Sequence, residues 1–384
     1  MDSHTTTEAL IDLDALRSNV ACTLELAAGR ELIGVVKADA YGHGSVRIAQ
    51  TLVSTGCTRL AVVSVDEAVA LRDAGIGSPD ILVLSGLRSG EEAREAADKR
   101  LTPVLHNDET RLFAAEAGRY KGTPIPVEVE VDTGMSRMGI DVDRAAEFLV
   151  EVNATPTLDL DGVFTHFSRA DETDLGPCLL QLESFRHVLD VARKNGVSPA
   201  RIHAANSAGV LAGKPILDAL PEATAVRPGL MLYGVTPAPH FDAPLKAVMQ
   251  LQTQVVRLQE VVPGQPVGYG GLYRAKHKTR IATLPLGYAD GVPCATFGKG
   301  HVWLGGKQRP IVGRISMDYI GVDVGPAGDE NDVVSLGDRA VIFGNKGADP
   351  EGISVEDAAG WAGTIAYEPL VRVGQRVRRR VVGE

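Results

Sequence analysis

Apolar runs of strand length recur through the first two thirds of the chain. They fall at 32–37, 60–64, 80–84, 102–105, 125–132, 160–166, 201–205 and 224–227. Between most of them lie helix-length segments that mix polar and apolar residues, such as 66–75, 89–99, 108–118, 142–152 and 178–196. Strand units joined by helical crossovers, repeated this many times, predict an α/β fold of the (β/α)8 TIM-barrel type. An open doubly wound sheet is the competitor, but no GxGxxG or GxxxxGK[ST] loop supports nucleotide binding in one. Ahead of the first unit, Ala9 to Asp12 also reads as a strand.

Beyond Pro244 the period changes. Helical spacing gives way to alternation at 248–256, 279–285, 310–315, 319–324 and 339–343, with turns such as Gly305-Gly306 between them. This predicts a second, C-terminal, mostly-β domain. The boundary expected from Pro237, Pro239 and Pro244 divides the chain into residues 1–243 and 244–384, with the opening residues through Asp12 free to pack on the β domain instead. At the C-terminus Arg372, Arg376, Arg378, Arg379 and Arg380 interleave with valines, which predicts a last strand with one solvated face.

Composition narrows the function. The 384 residues are 44% hydrophobic and carry a formal charge of −10, which argues against nucleic acid as the main partner. No apolar run approaches membrane-spanning length, and the N-terminus lacks the pattern of a signal peptide. Cys22, Cys57, Cys178 and Cys294 are scattered, without a CxxC pair. That fits free thiols in a reducing cytoplasm rather than a disulfide framework or a metal site.

The barrel reading locates the chemistry, because active sites of this fold lie at the C-terminal ends of the strands. Those ends carry Lys37, Asp132 with Arg137, His166, Asn206-Ser207 and Arg227. A lysine closing a buried strand loses solvation, which lowers its pKa and frees the amine as a nucleophile or base. The plain alternatives are a lysine snorkelling out of a strand end and a histidine satisfied in the core.

The motifs extend this picture. Val36-Lys37-Ala38-Asp39-Ala40-Tyr41-Gly42-His43-Gly44 is followed by the segments 131–139 (VDTGMSRMG), 165–167, 206–208 and 227–234 (RPGLMLYG). The second domain adds 267–270 (VGYG), 284–291 (LPLGYADG), 312–318 (VGRISMD) and Tyr367-Glu368. In this order, over nearly the whole chain, they resemble the alanine racemases, which join a barrel to a β domain and use pyridoxal 5'-phosphate (PLP). The resemblance implies interconversion of L- and D-alanine by two bases, to supply D-alanine for peptidoglycan. It implies that Lys37 carries PLP and serves as one base, and that Tyr269, from the partner subunit of a homodimer with shared sites, is the other. It sets Arg227 against the pyridine nitrogen, with His166 orienting it. Tyr41, Asn206, Ser207, Tyr367 and the backbone at Gly229-Leu230 would hold the cofactor, mainly at its phosphate. Arg137 and the Met317 backbone would bind the substrate carboxylate. Asp171, Tyr288 and Arg314 would line the access passage.

Two departures stand out. Glu130 occupies a position where many members carry a lysine, carbamylated in some; here it is expected to pair with Arg137 in place of the carbamate. Val292-Pro293-Cys294 stands where many carry an arginine, which bears on the charge of the passage and on selectivity. A broad-specificity or serine/lysine-type racemase of the same fold remains an alternative, although the bulk of Tyr367 favours a small side chain. A non-catalytic PLP-binding barrel would lack the β domain and any counterpart of Tyr269.

Overall fold

The computed structural model describes residues 6–326, 334–344, 346 and 352–383. Glu31–Val35, Arg59–Val62, Asp80–Val83, Leu101–Leu105, Ile125–Asp132, Leu158–Phe164, Arg201–His203 and Ala225–Val226 pair in sequence. Every pairing is parallel, and the last strand returns to the first, which closes the barrel. Each strand overlaps one of the expected runs. Most of their residues are buried, because helices cover the outer face and side chains fill the inner one. The crossover helices start where the sequence supplies caps. Ser64 accepts from the Glu67 amide, Ser89 from Glu92, and Asn107 forms a capping box with Thr110.

The second domain is built on a nine-stranded sheet. Glu8–Asp12 belongs to this sheet, pairing antiparallel with Met249–Gln254 and parallel with Arg378–Val382. The barrel is therefore strung between two strands of the other domain. One contiguous apolar core runs through both, so the β domain does not hang on a free linker.

The C-terminal strand is shorter than its alternating arginines and valines predict. It covers only Arg378–Val382, whereas Val371 ends the helix Tyr367–Val371 and Arg372 caps it. Arg376 lies ahead of the strand and forks onto Asp290, with a further contact to Asp318. The helices Val355–Ala362 and Tyr367–Val371 were not anticipated in a β region; the second brings Tyr367 to the mouth of the barrel. Among the described residues no helix is long and apolar enough to cross a membrane.

Candidate active site

A cavity of about 1040 Å³ opens at the C-terminal ends of the barrel strands. Lys37, Tyr41, Arg137, His166, Asp171 and Asn206 line it together with Ser207, Arg227, Gly229, Leu230 and Tyr367. Lys37 follows the first strand after Val36, whose amide is tied to the Ala61 carbonyl at 2.9 Å. Burial lowers the Lys37 pKa, and the cations Arg137 and Arg227 lower it further. The amine therefore gives up its proton more readily than an ordinary lysine.

The glycine-punctuated stretch after Lys37 is not an open loop. Ala38, Asp39, Ala40 and Tyr41 all have φ of 52–54°, a left-handed turn made entirely of residues with a Cβ. L-residues enter this region at a cost of roughly 1–2 kcal/mol each. No pattern of apolar positions signals such a turn. It aims Tyr41 at Gly229, where a Cβ would stand 2.3 Å from the Tyr41 hydroxyl. Tyr41 is backed by the ring of Tyr233 at 4.8 Å, so it has little room to retreat. Gly229→Ala should therefore displace the tyrosine at an overpacking cost of about 1–3 kcal/mol. The expected result is weaker PLP binding with the barrel intact, read by cofactor titration and circular dichroism.

Arg227 is buried, yet among the described residues it forms no ion pair with a carboxylate. Its guanidinium donates to Nδ1 of His203 at 2.5 Å, to Nδ1 of His166 at 3.0 Å, and to the Thr165 carbonyl. It also lies 4.4 Å over the centre of the Phe164 ring. A permanent cation can only donate, so both histidines must present lone pairs at Nδ1 and be neutral. Burial lowers the pKa of each, and the Arg227 charge adds to the effect. Below, His203 Nε2 donates to Glu128 at 3.0 Å, and Glu128 meets Arg59, which also holds Asp80 and Asp161. Burial pushes the Glu128 carboxyl up, but His203, Arg59 and Arg227 together hold it below its ordinary value. A polar column thus climbs the barrel interior from Arg59 to His166. His203, Glu128, Arg59 and Phe164 were missed as site residues. Alternation with Val127 and Val129 puts Glu128 and Glu130 on one face of the fifth strand, but no sequence signal pairs them with partners so distant in the chain.

The buried histidines set an acid limit. A histidine kept neutral by the fold gains its proton on unfolding. It therefore contributes stability above its ordinary value of 6.5, which is lost as pH falls toward the folded value, about 4 for His43. His106, His166 and His203 shift in the same direction. The melting temperature of the cofactor-free protein is expected to fall steadily between about pH 7 and pH 5, a scan readable by calorimetry.

The expected pair of Glu130 with Arg137 is not formed. The Glu130 carboxylate instead stands 3.4 Å from His106 Nδ1, while Arg137 is exposed and has no ion pair among the described residues. The reason lies in the loop. Asp132 accepts the amides of Gly134, Met135 and Ser136, which folds the turn back on itself and keeps Arg137 from the strand's inner face. Burial raises the Glu130 pKa, and Arg227 leads the charges that oppose this. His106 Nε2 is engaged with the Leu84 carbonyl, so its Nδ1 turns a lone pair to Glu130. Burial also lowers the His106 pKa, which favours the neutral ring.

Ser207 Oγ accepts the amides of Gly229 and Met231, while the Asn206 side chain caps the helix Ser207–Leu211 through the Gly209 amide. Four expected residues lie elsewhere. Tyr269 is 70% exposed on the turn 269–271, and Tyr288, Arg314 and Met317 are exposed on neighbouring loops of the β domain. These loops are locked together: the Tyr288 amide donates to Ser316 and the Ala289 amide to Met317, and Gly268 packs on Arg314. None of the four lines the cavity that holds Lys37. Cys294, in the same region, is exposed.

Residues 11–237 match the family model of the alanine racemase N-terminal domain, and residues 248–381 match that of the C-terminal domain. An alanine racemase of Syntrophobacter fumaroxidans is 40% identical over 372 residues, covering 95% of this chain and 94% of that one. The solved alanine racemase of Streptomyces coelicolor A3(2) superposes with a TM-score of 0.90 at 36% identity, over 99% of this chain and 98% of the other. That of Bartonella henselae, solved with covalently bound pyridoxal phosphate, gives a TM-score of 0.86 at 29% identity, over 98% and 100%. With both domains matched and the likeness extending from end to end, the chain belongs to the alanine racemase family of PLP-dependent isomerases.

Proposed function

We propose that the chain interconverts L- and D-alanine with PLP held at the barrel mouth, and that Lys37 and the partner subunit's Tyr269 are its two bases. One observation carries this reading: a half-buried lysine of lowered pKa shares its cavity with the buried Arg227, which forms no ion pair with a carboxylate among the described residues. The donor set fits the cofactor. Lys37 offers an amine for covalent anchorage, as PLP is covalently bound in the Bartonella enzyme. Tyr41, Ser207 and Tyr367 offer hydroxyls to a phosphate, and Gly229 leaves the space that a Cβ would fill.

Bound there, PLP supplies the conjugated system over which the electron pair left by the α-proton spreads. The remaining work falls to the chain. The desolvated Lys37 amine takes the proton on one face, and the Tyr269 phenol returns one on the other; the roles exchange for the reverse direction. Arg227, fixed by His203, His166 and Phe164, would hold a permanent positive charge at the pyridine end of the cofactor and would oppose protonation of the ring nitrogen. A weaker electron sink discourages transamination. Arg137, free of ion pairs among the described residues, is available to the substrate carboxylate, with the Met317 backbone of the partner completing that site. Tyr367 narrows the pocket, and Asp171, Tyr288 and Arg314 line the access passage.

This assignment requires a homodimer with shared sites, since Tyr269 does not reach its own chain's cavity. All four cysteines are free, in keeping with a reducing cytoplasm where D-alanine for peptidoglycan is made. Purified protein is expected to show the absorbance of bound PLP and to interconvert the alanine enantiomers only when PLP is present. Serine and lysine assayed beside alanine should be poor substrates; an enzyme that racemised either of them faster than alanine would overturn the specificity.

A further inference from the structure

The left-handed turn Ala38–Tyr41 is held from several sides. The Ala38 amide donates to Glu67 at 2.7 Å, and the other Glu67 oxygen accepts the Val63 amide. At the far end, Asp39 accepts the Ser45 amide and so starts the next helix. Two further anchors belong to residues without a part in the reaction. His43 is 1% exposed, and its Nδ1 lies 2.9 Å from both the Ala40 and the Tyr41 carbonyl. Carbonyls only accept, so Nδ1 carries the proton and bridges two peptide units of the turn. The other ring nitrogen is buried and has no partner among the described residues, and the ring packs 4.6 Å from that of Tyr233. From the second domain, Arg379 donates to the Gly42 carbonyl at 3.1 Å, and its other donors go to the carbonyls of Val373, Gly374 and Val377. Gly42 is pressed against that domain, since a Cβ there would stand 2.3 Å from the Leu370 carbonyl.

We propose that His43 and Arg379 are positioning residues, which keep the turn left-handed and thereby hold the Lys37 amine and the Tyr41 hydroxyl in register for PLP. Strained backbone persists only where its surroundings over-determine it. His43 closes the turn from within the motif. Arg379 ties it to the domain that carries Tyr367, so cofactor contacts from the two domains stay aligned. Neither side chain touches the reacting atoms. The inference rests on the assignment of Lys37 and Tyr41 to the cofactor, but its first test does not.

Hydrogen exchange is measured on the cofactor-free protein, followed by titration with PLP. His43→Leu should speed exchange of the amides in residues 40–45 by about tenfold, and raise the Kd for PLP by a similar factor. Exchange in the strand Glu31–Val35 should stay slow, and the KM for alanine at saturating PLP should stay as in the parent. His43→Asn, whose amide can donate from nearly the same place, should restore most of the protection and the affinity. Should His43→Leu fail to fold, Arg379→Met is read in the same way, since it releases Gly42 from the opposite side. Unchanged exchange and PLP affinity in the folded variants would overturn the proposal. So would a His43→Asn variant as poor as His43→Leu, because ring packing on Tyr233 would then be the cause. A wild-type protein without PLP bound through Lys37 would refute the cofactor assignment alone, leaving the exchange result to judge the turn.

Discussion

Replacing Lys37 by alanine is expected to abolish covalent retention of PLP and to slow racemisation by at least about 10²–10⁴-fold, the share attributable to one general base. The physical case is local. The lysine sits past the end of a strand whose last residues are buried, in a cavity shared with two arginines, and both burial and those charges lower its pKa. Such an amine serves as nucleophile toward an aldehyde and then as base toward a carbon acid, two tasks that an exposed lysine performs poorly near neutral pH. Removing it loses anchorage and proton transfer together, so added PLP should not restore the rate. Borohydride reduction of the parent, followed by peptide mapping, should place the pyridoxyl group on Lys37. A label on another lysine would refute the assignment, and retained activity in Lys37→Ala would refute the base.

The fold was legible because its signals are periodic and local. Runs such as Ile125–Asp132 announce buried strands, and mixed polar-apolar segments such as 108–118 announce the helices between them. The strand-end residues of the site followed from the architecture once the runs were counted. What stayed hidden depends on pairings distant in the chain or on backbone conformation. His203 reads as one more residue at a strand end until its two nitrogens are seen to bridge Glu128 and Arg227, 75 and 24 positions away. The left-handed turn carries non-glycine residues where sequence reasoning expects glycine, because the cost is met by tertiary contacts rather than by residue choice. Glu130 was assigned to Arg137 by proximity in sequence, but the amides that gather on Asp132 send the loop elsewhere and leave His106 as the neighbour. Charge patterning misled once more at the C-terminus, where Arg376 forks onto Asp290 instead of extending a strand.

Tyr269→Phe is expected to slow racemisation by about 10²–10⁴-fold while PLP remains bound, because it removes the phenol hydroxyl and leaves the ring in place. With Lys37 proposed as anchor and base, it can serve only one face of the substrate's α-carbon. The second base must come from the other side. In a single chain Tyr269 cannot do so: it is 70% exposed on the β domain and absent from the cavity around Lys37. Its neighbours Leu272, Tyr288, Met317 and Tyr319 are also exposed, an apolar cluster suited to pairing with another copy of the chain. The prediction is therefore sharpest for mixed dimers. Lys37→Ala and Tyr269→Phe proteins, each nearly inactive, should recover activity when their subunits exchange, since one site of each heterodimer then draws both intact residues from different chains. Exchange can be followed by mass spectrometry of differently tagged subunits. If heterodimers form and activity does not return, both bases come from one chain, and Tyr269 is not the second of them.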